Sequence, residues 1–239
     1  MHAEPIRAPA RAQDLILRQR VDGYAAGELE QRFPRLSAEE GYLFAYGIMS
    51  PVVWQRLRHR PKSKLKKLER EVLQAVAEIG DVHPRALDER FGRKSVKNPW
   101  GGSSKETKRI LEKLHHHGYL RVSRRENGIR IYQVPEDGDD KREGSRDRYR
   151  LLALATAEVF GPTTMRFLLS ELRSQNHLLP NRADRVAVIE SLVQAGELTK
   201  TEVDGIPYVS TKKALASDDL PNRVRILAPF DPLVRNRER

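Results

Sequence analysis

Lys105, Lys108, Arg109, Glu112 and Lys113 all lie off the stripe formed by Ile110, Leu111 and Leu114, so a helix here turns four cations and one carboxylate away from its apolar face. Clustered ammonium and guanidinium groups displace counterions from a phosphate backbone, and that is the chemistry this spacing offers. Arg121, Arg124, Arg125 and Arg130 follow on a hairpin and extend the same surface. In the preceding loop, Asn98 and Trp100 stand beside Gly101 and Gly102, where the indole either stacks on a base or sugar or anchors a core. His115, His116 and His117 do not form a metal site, because consecutive helical residues are about 100° apart and cannot converge on one ion. Phosphate contact or plain exposure is the expectation for them. The chain has no cysteine, which excludes disulfides, thiolate catalysis and Cys-ligated metals. It also lacks a Walker A loop, a G-x-S-x-G elbow and an H-E-x-x-H pair.

The elements that must position these residues are legible on both sides. Leu65, Leu68, Val72, Val76 and Ile79 step by three or four, which predicts a helix stopped at Gly80. Pro84 suits a first helical position, so Pro84 to Phe91 reads as a short second helix ended by Gly92. After the loop RKSVKNPWGG, Ser103 and Glu106 predict a capping box opening a third helix that runs to Gly118. YLRVSRR and IRIYQV then flank Glu126-Asn127-Gly128, and Asn-Gly is the strongest short hairpin signal because both turn positions need positive φ. Three helices followed by a hairpin describe a winged helix.

The design recurs. Leu114, Gly118 and Leu120 in KLHHHGYL have the spacing of Leu192, Gly196 and Leu198 in SLVQAGEL, and a second hairpin turn follows at Asp204-Gly205. Upstream, Leu151 to Phe160 is an apolar helical run stopped by Gly161-Pro162. Between the two units PEDGDDKREGS reads as a solvated acidic linker. The expected fold class is therefore mainly α with small β-hairpins, in tandem winged-helix (helix-turn-helix) units. The expected divisions are an N-terminal segment 1–59, a basic unit 60–134, a linker 135–147, a second unit 148–211 and a C-terminal segment 212–239.

The 239 residues carry 44 Lys+Arg against 33 Asp+Glu, a net charge of +11. Residues 60–134 hold 19 basic and 9 acidic side chains, a balance of +10, whereas 151–211 hold 5 and 7, a balance of −2. Charge serving only solubility need not concentrate this way, while a nucleic-acid face must. The second unit is accordingly expected to be a scaffold or protein-contact module. No apolar run approaches a membrane span and the first twenty residues have no secretory pattern, so a cytoplasmic, bacterial nucleoid-associated protein is expected. The residues taken alone lead to a DNA-binding protein.

Three stretches carry a resemblance: HAEPIRAPARAQDL at the start, NPWGGSSKETKRILEKLHHHGYL in the basic unit and PFDPLV near the end. Together they resemble the YcaQ/AlkZ-type winged-helix DNA glycosylases, which remove alkylated bases and unhook interstrand crosslinks. The resemblance implies a basic concave surface built by tandem winged helices and a catalytic Gln-x-Gln or Gln-x-Asp motif directly before P-I-R-A-P-A-R-A-Q-D-L. That pattern falls on His2 and Glu4, so Glu4 stands where the family has Asp and His2 where it has Gln. A carboxylate can place water against the anomeric carbon and offset the charge of an oxocarbenium-like transition state. Arg7 and Arg11 match the pattern as phosphate or motif-holding residues, and Gln13-Asp14 as structural ones. The family has a helical segment before its motif and a β-rich region after PFDPLV, so the resemblance also implies a chain shortened at both ends.

The implied function is hydrolysis of the N-glycosidic bond of alkylated purines by a monomer acting on double-stranded DNA, with no cofactor and no metal. A winged-helix DNA-binding protein or transcriptional regulator without catalysis is the alternative.

Overall fold

The computed structural model describes residues 10–58, 64–92, 94–97, 103–136, 143–212, 224–229 and 231–236. In chain order the elements are α1 (Ala12–Arg18), α2 (Glu28–Arg32), β1 (Glu39–Tyr42), β2 (Tyr46–Met49), α3 (Pro51–Leu57), α4 (Lys67–Ile79), α5 (Pro84–Phe91), β3 (Ser95–Lys97), β4 (Ser103–Lys105), α6 (Glu106–His116), β5 (Arg121–Glu126), β6 (Ile129–Gln133), α7 (Ser145–Phe160), β7 (Thr163–Thr164), α8 (Met165–Glu171), α9 (Arg182–Gln194), β8 (Leu198–Val203), β9 (Ile206–Thr211) and α10 (Pro232–Arg235). The chain is mainly helical, with small antiparallel sheets of two or three strands. It divides into two compact units, one built from Gly27–Tyr42 and Met49–Asp140 and the other from Met1–Ala26, Leu43–Ile48 and Lys141–Arg239.

In the unit that contains α6, helices α4, α5 and α6 enclose Val72, Val76, Leu87, Ile110, Leu111 and Leu114, and β5 and β6 close the core with Val122 and Tyr132. The α4 stripe is buried at Val72 and Val76, whereas Ile79, the last residue of the helix before Gly80 at φ 89°, is 50 % exposed. Helix α5 spans Pro84–Phe91 as the proline and the glycine predict. Its N-terminus is closed by His83, whose Nδ1 accepts the Arg85 N–H at 3.1 Å. Asn127 and Gly128 form the hairpin turn at φ 51° and 83°, the positive values that a two-residue turn between twisted strands demands. Val82 exchanges two backbone hydrogen bonds with Tyr132, at 2.8 and 3.0 Å, along the other edge of β6.

The start of α6 departs from expectation. Ser103 lies in β4, paired through Lys97, and the helix begins one residue after Lys105 with no side-chain cap. A short β3–β4 ladder replaces the capping box, and the Glu106 N–H donates to the Lys94 carbonyl at 2.9 Å.

In the other unit, α7 carries Leu152, Ala153, Ala157 and Phe160 into a core shared with Leu168, Leu172, Val188, Ile189 and Leu192. The sheet order is β7-β9-β8, and the β8–β9 turn sits at Asp204 and Gly205 with φ 52° and 77°. The sequence repeat has a structural meaning. Gly118 and Gly196 donate to the carbonyls of His115 and Val193, both at 3.0 Å, while Tyr119 and Glu197 donate to Leu114 and Leu192, both at 2.9 Å. Both helices thus end in a Schellman motif, whose left-handed position favours glycine.

Candidate nucleic-acid interface

Helix α6 is fastened at its buried edge and open on its outer one. Thr107 shares the buried face with Ile110, Leu111 and Leu114, so its hydroxyl needs an internal partner; it donates to Asp88 of α5. Asp88 is itself buried and also receives Lys105, whose side chain stays 47 % exposed. Near the other end, Lys113 donates to Glu69 of α4 at 2.8 Å. Burial works to raise the Glu69 carboxyl, but the hydrogen bonds from Lys113 and from the Lys66 N–H outweigh it and hold the group below the usual carboxylate range. Lys108 and Arg109 face outward, exposed, with no ion-pair partner among the described residues.

The hairpin arginines are held from one side by acidic residues far away in sequence. Arg121 meets Glu39 at 2.8 Å. Burial pushes the Glu39 carboxyl above its ordinary value even though the Arg121 guanidinium opposes the shift. Arg125 makes a two-pronged contact with Glu40, Nε at 2.6 Å and Nη2 at 2.7 Å. Arg130 reaches the same carboxylate at 3.7 Å and Glu112 at 3.8 Å. Arg124 pairs with Asp81 and with Glu126. The turn is secured too, since Glu30 of α2 accepts the Gly128 N–H at 2.7 Å.

Of the cations singled out from the sequence, then, Lys105, Lys113, Arg121, Arg124, Arg125 and Arg130 are engaged by carboxylates of their own unit, and Lys108 and Arg109 stand open. Arg11 lies in the other unit, buried at the N-cap position of α1. His2, Glu4, Arg7, Asn98 and Trp100 lie outside the described residues.

The histidine run separates by face. His115 is buried, its Nδ1 3.1 Å from the Leu120 carbonyl, and burial lowers its pKa to about 4, so it is neutral and serves the core instead of a phosphate. His116 is exposed. Among the described residues no group of three or more His, Asp or Glu side chains is arranged to hold a metal ion.

The carboxylates that hold the β5–β6 hairpin, Glu30, Glu39 and Glu40, are the neighbours that sequence reasoning missed. Asp88 and Thr107 had a signal, a polar residue at helical spacing on an apolar face.

The family model for AlkZ-like DNA glycosylases matches residues 1–239. The chain belongs to the AlkZ-like DNA glycosylase family. No solved structure matches it. For an AlkZ-like chain the substrate is DNA and the setting is repair. Among the described residues of this AlkZ-like protein, no helix is long and apolar enough to cross a membrane.

Proposed function

We propose that this AlkZ-like chain hydrolyses the N-glycosidic bond of alkylated purines in double-stranded DNA and unhooks interstrand crosslinks, with Glu4 as the catalytic carboxylate. The observation that carries this reading is the family match over the whole chain. An N7-alkylated purine bears positive charge, so it departs as a neutral base when the bond from its ring nitrogen to C1′ breaks. Glu4 takes the proton from a water whose oxygen bonds to C1′, and its negative charge offsets the oxocarbenium character that develops there. His2 orients that water. No cofactor or metal is needed, because alkylation has already activated the leaving group.

The chain acts as a monomer of two winged-helix units, of which the basic first one holds the DNA and the second, with its −2 balance, serves as scaffold. The order helix, bridging residue, helix, helix and hairpin around α4 to β6 supports that assignment, as does the same order with a β7-β9-β8 sheet from α7 to β9. In the first of these, α6 enters the groove through the half that carries Lys108 and Arg109. Lys105, Lys113, Arg121, Arg124 and Arg130 add a partly neutralised flank, and Arg7, Asn98 and Trp100 complete the contact with the strand. Arg125 and Arg11 act from within, holding the wing and α1. The unhooking step is tested by incubating a nitrogen-mustard crosslinked duplex with the chain and resolving the strands on a denaturing gel. Separated strands with a residual monoadduct are expected; a crosslink that survives while a monoadduct is excised would remove unhooking from the activity.

A further inference from the structure

Among the side chains that α6 turns away from its core, Glu112 is a carboxylate set among cations, and neither the base chemistry nor the phosphate contacts make use of it. Its side chain is 44 % exposed. Arg130 Nη1 stands 3.8 Å away, too far for a hydrogen bond, and no hydrogen bond reaches the Glu112 carboxylate from the described residues. Glu39, Glu40, Glu69 and Asp88 differ in kind, since each is buried and hydrogen-bonded to a cation. Their work is inside the fold. Glu112 has no comparable task there.

Its place on the helix gives it one. Successive helical residues are about 100° apart, so Glu112 lies about 160° round the axis from Leu114, which is wholly buried. The same spacing puts it between Lys108 and Arg109, about 40° from the first and 60° from the second. The two exposed cations therefore diverge to either side of it. A helix lying in the major groove sends its flanking side chains toward the phosphates of the two strands and its central ones toward the base edges. The central position is the one that Glu112 holds.

A carboxylate at that position weakens sequence-independent binding, because it returns negative charge to a face that works by displacing counterions. What it supplies is discrimination. An ionised carboxylate accepts hydrogen bonds and donates none. In the major groove guanine presents the O6 and N7 acceptors, thymine the O4 acceptor and a methyl group, and adenine an N6 donor beside its N7 acceptor. Cytosine presents its N4 amine with no acceptor of its own beside it. We propose that Glu112 is a specificity-determining residue that selects duplexes with cytosine at the base pair facing the middle of α6. This rests on the reading that α6 enters the groove between Lys108 and Arg109.

The test uses a pool of duplexes, each with one central 7-methylguanine and randomised base pairs on both sides. The full chain, Glu112→Ala and Glu112→Gln each partition the pool, and the undamaged strands of the bound fractions are sequenced. The salt dependence of binding is measured beside them for Lys108→Ala with Arg109→Ala. The position is exposed, so neither Glu112 variant removes a packed side chain. With the parent, cytosine is expected to be enriched about tenfold at one position, the discrimination that a single base contact supplies. Glu112→Ala should lose the preference. Glu112→Gln should move it to adenine, whose N6 donor and N7 acceptor match an amide. A carboxylate that merely tempered the charge of the helix would give no such exchange of bases. No cytosine enrichment by the parent, beside a double variant whose salt slope falls by about 2, overturns the proposal and leaves α6 as the helix that meets DNA. A cytosine preference that survives in either Glu112 variant overturns the proposal as well. An unchanged salt slope in the double variant overturns the reading that α6 enters the groove, and the proposal with it.

Discussion

Arg125 grips Glu40 through Nε and Nη2 at 2.6 and 2.7 Å, and the two side chains are only 9 % and 1 % exposed. A guanidinium so placed is a rivet between the β5–β6 hairpin and β1. Removing one partner strands the other in a low-dielectric site. Glu40→Ala is therefore expected to destabilise the fold by about 3–5 kcal/mol in urea titrations, and Glu40→Leu with Arg125→Met to recover most of that loss. A Glu40→Ala loss below about 1 kcal/mol would mean that the pair is not held as described.

Lys108 and Arg109 stand at the opposite extreme, open and unpaired among the described residues. Each phosphate contact contributes about 0.9 to the slope of log affinity against log salt, so Lys108→Ala with Arg109→Ala should flatten that slope by about 2. Glu40→Leu with Arg125→Met should leave it unchanged. Filter binding or fluorescence anisotropy across a salt series checks both, and an unaltered slope in the double variant would move the DNA face off α6.

What could be read from the sequence was local. The Asn127-Gly128 and Asp204-Gly205 turns, the limits of α5 and the paired Gly118 and Gly196 each follow from a backbone demand that one or two residue types satisfy. What could not be read was the destination of the charges. Composition counts Arg121 and Arg125 as cations, and nothing along the chain announces that Glu39 and Glu40, 82 and 85 positions away, pair with them. Likewise Ser103-x-x-Glu106 is a sound local cap signal that loses to a strand pairing, because Ser103 meets Lys97 across the β3–β4 ladder. His115 was hidden for a similar reason: a run of three histidines looks uniform along the chain, yet the helix turns the first of them into the core. Glu4 and His2 rest on the family pattern alone, since they lie outside the described residues.

His115 gives the fold an acid sensitivity. Its pKa falls from 6.5 to about 4 on folding, through burial, so between those values the unfolded chain binds the proton and the folded one does not. The stability this group contributes is full above about pH 6.5 and is lost as the pH falls, on the order of 3 kcal/mol by pH 4. His115→Gln should remove that part of the slope between pH 6.5 and 4. A variant that keeps the whole slope would assign it to other groups.

Gly118 and Gly196 occupy the same motif with different surroundings. Both have positive φ, 74° and 68°, but a Cβ on Gly118 would stand 2.6 Å from Arg58 Cα and 2.7 Å from its carbonyl oxygen, while one on Gly196 would, among the described residues, meet only Lys212 Nζ at 3.9 Å. Gly196→Ala should cost about 1–2 kcal/mol, the left-handed backbone alone. Gly118→Ala should cost more, because the Arg58 backbone must also move. Equal losses in thermal or urea unfolding would contradict the close approach.

The most direct test of the account is excision from a duplex that carries a single 7-methylguanine, without added metal, using the chain beside its Glu4→Gln variant and revealing abasic sites with alkali. The account predicts strand cleavage at the lesion with the chain, none with an undamaged duplex, and its loss in the variant while DNA binding persists. Tight, salt-dependent binding of the lesion duplex with no abasic product from either protein would contradict the assignment of glycosylase activity to this chain.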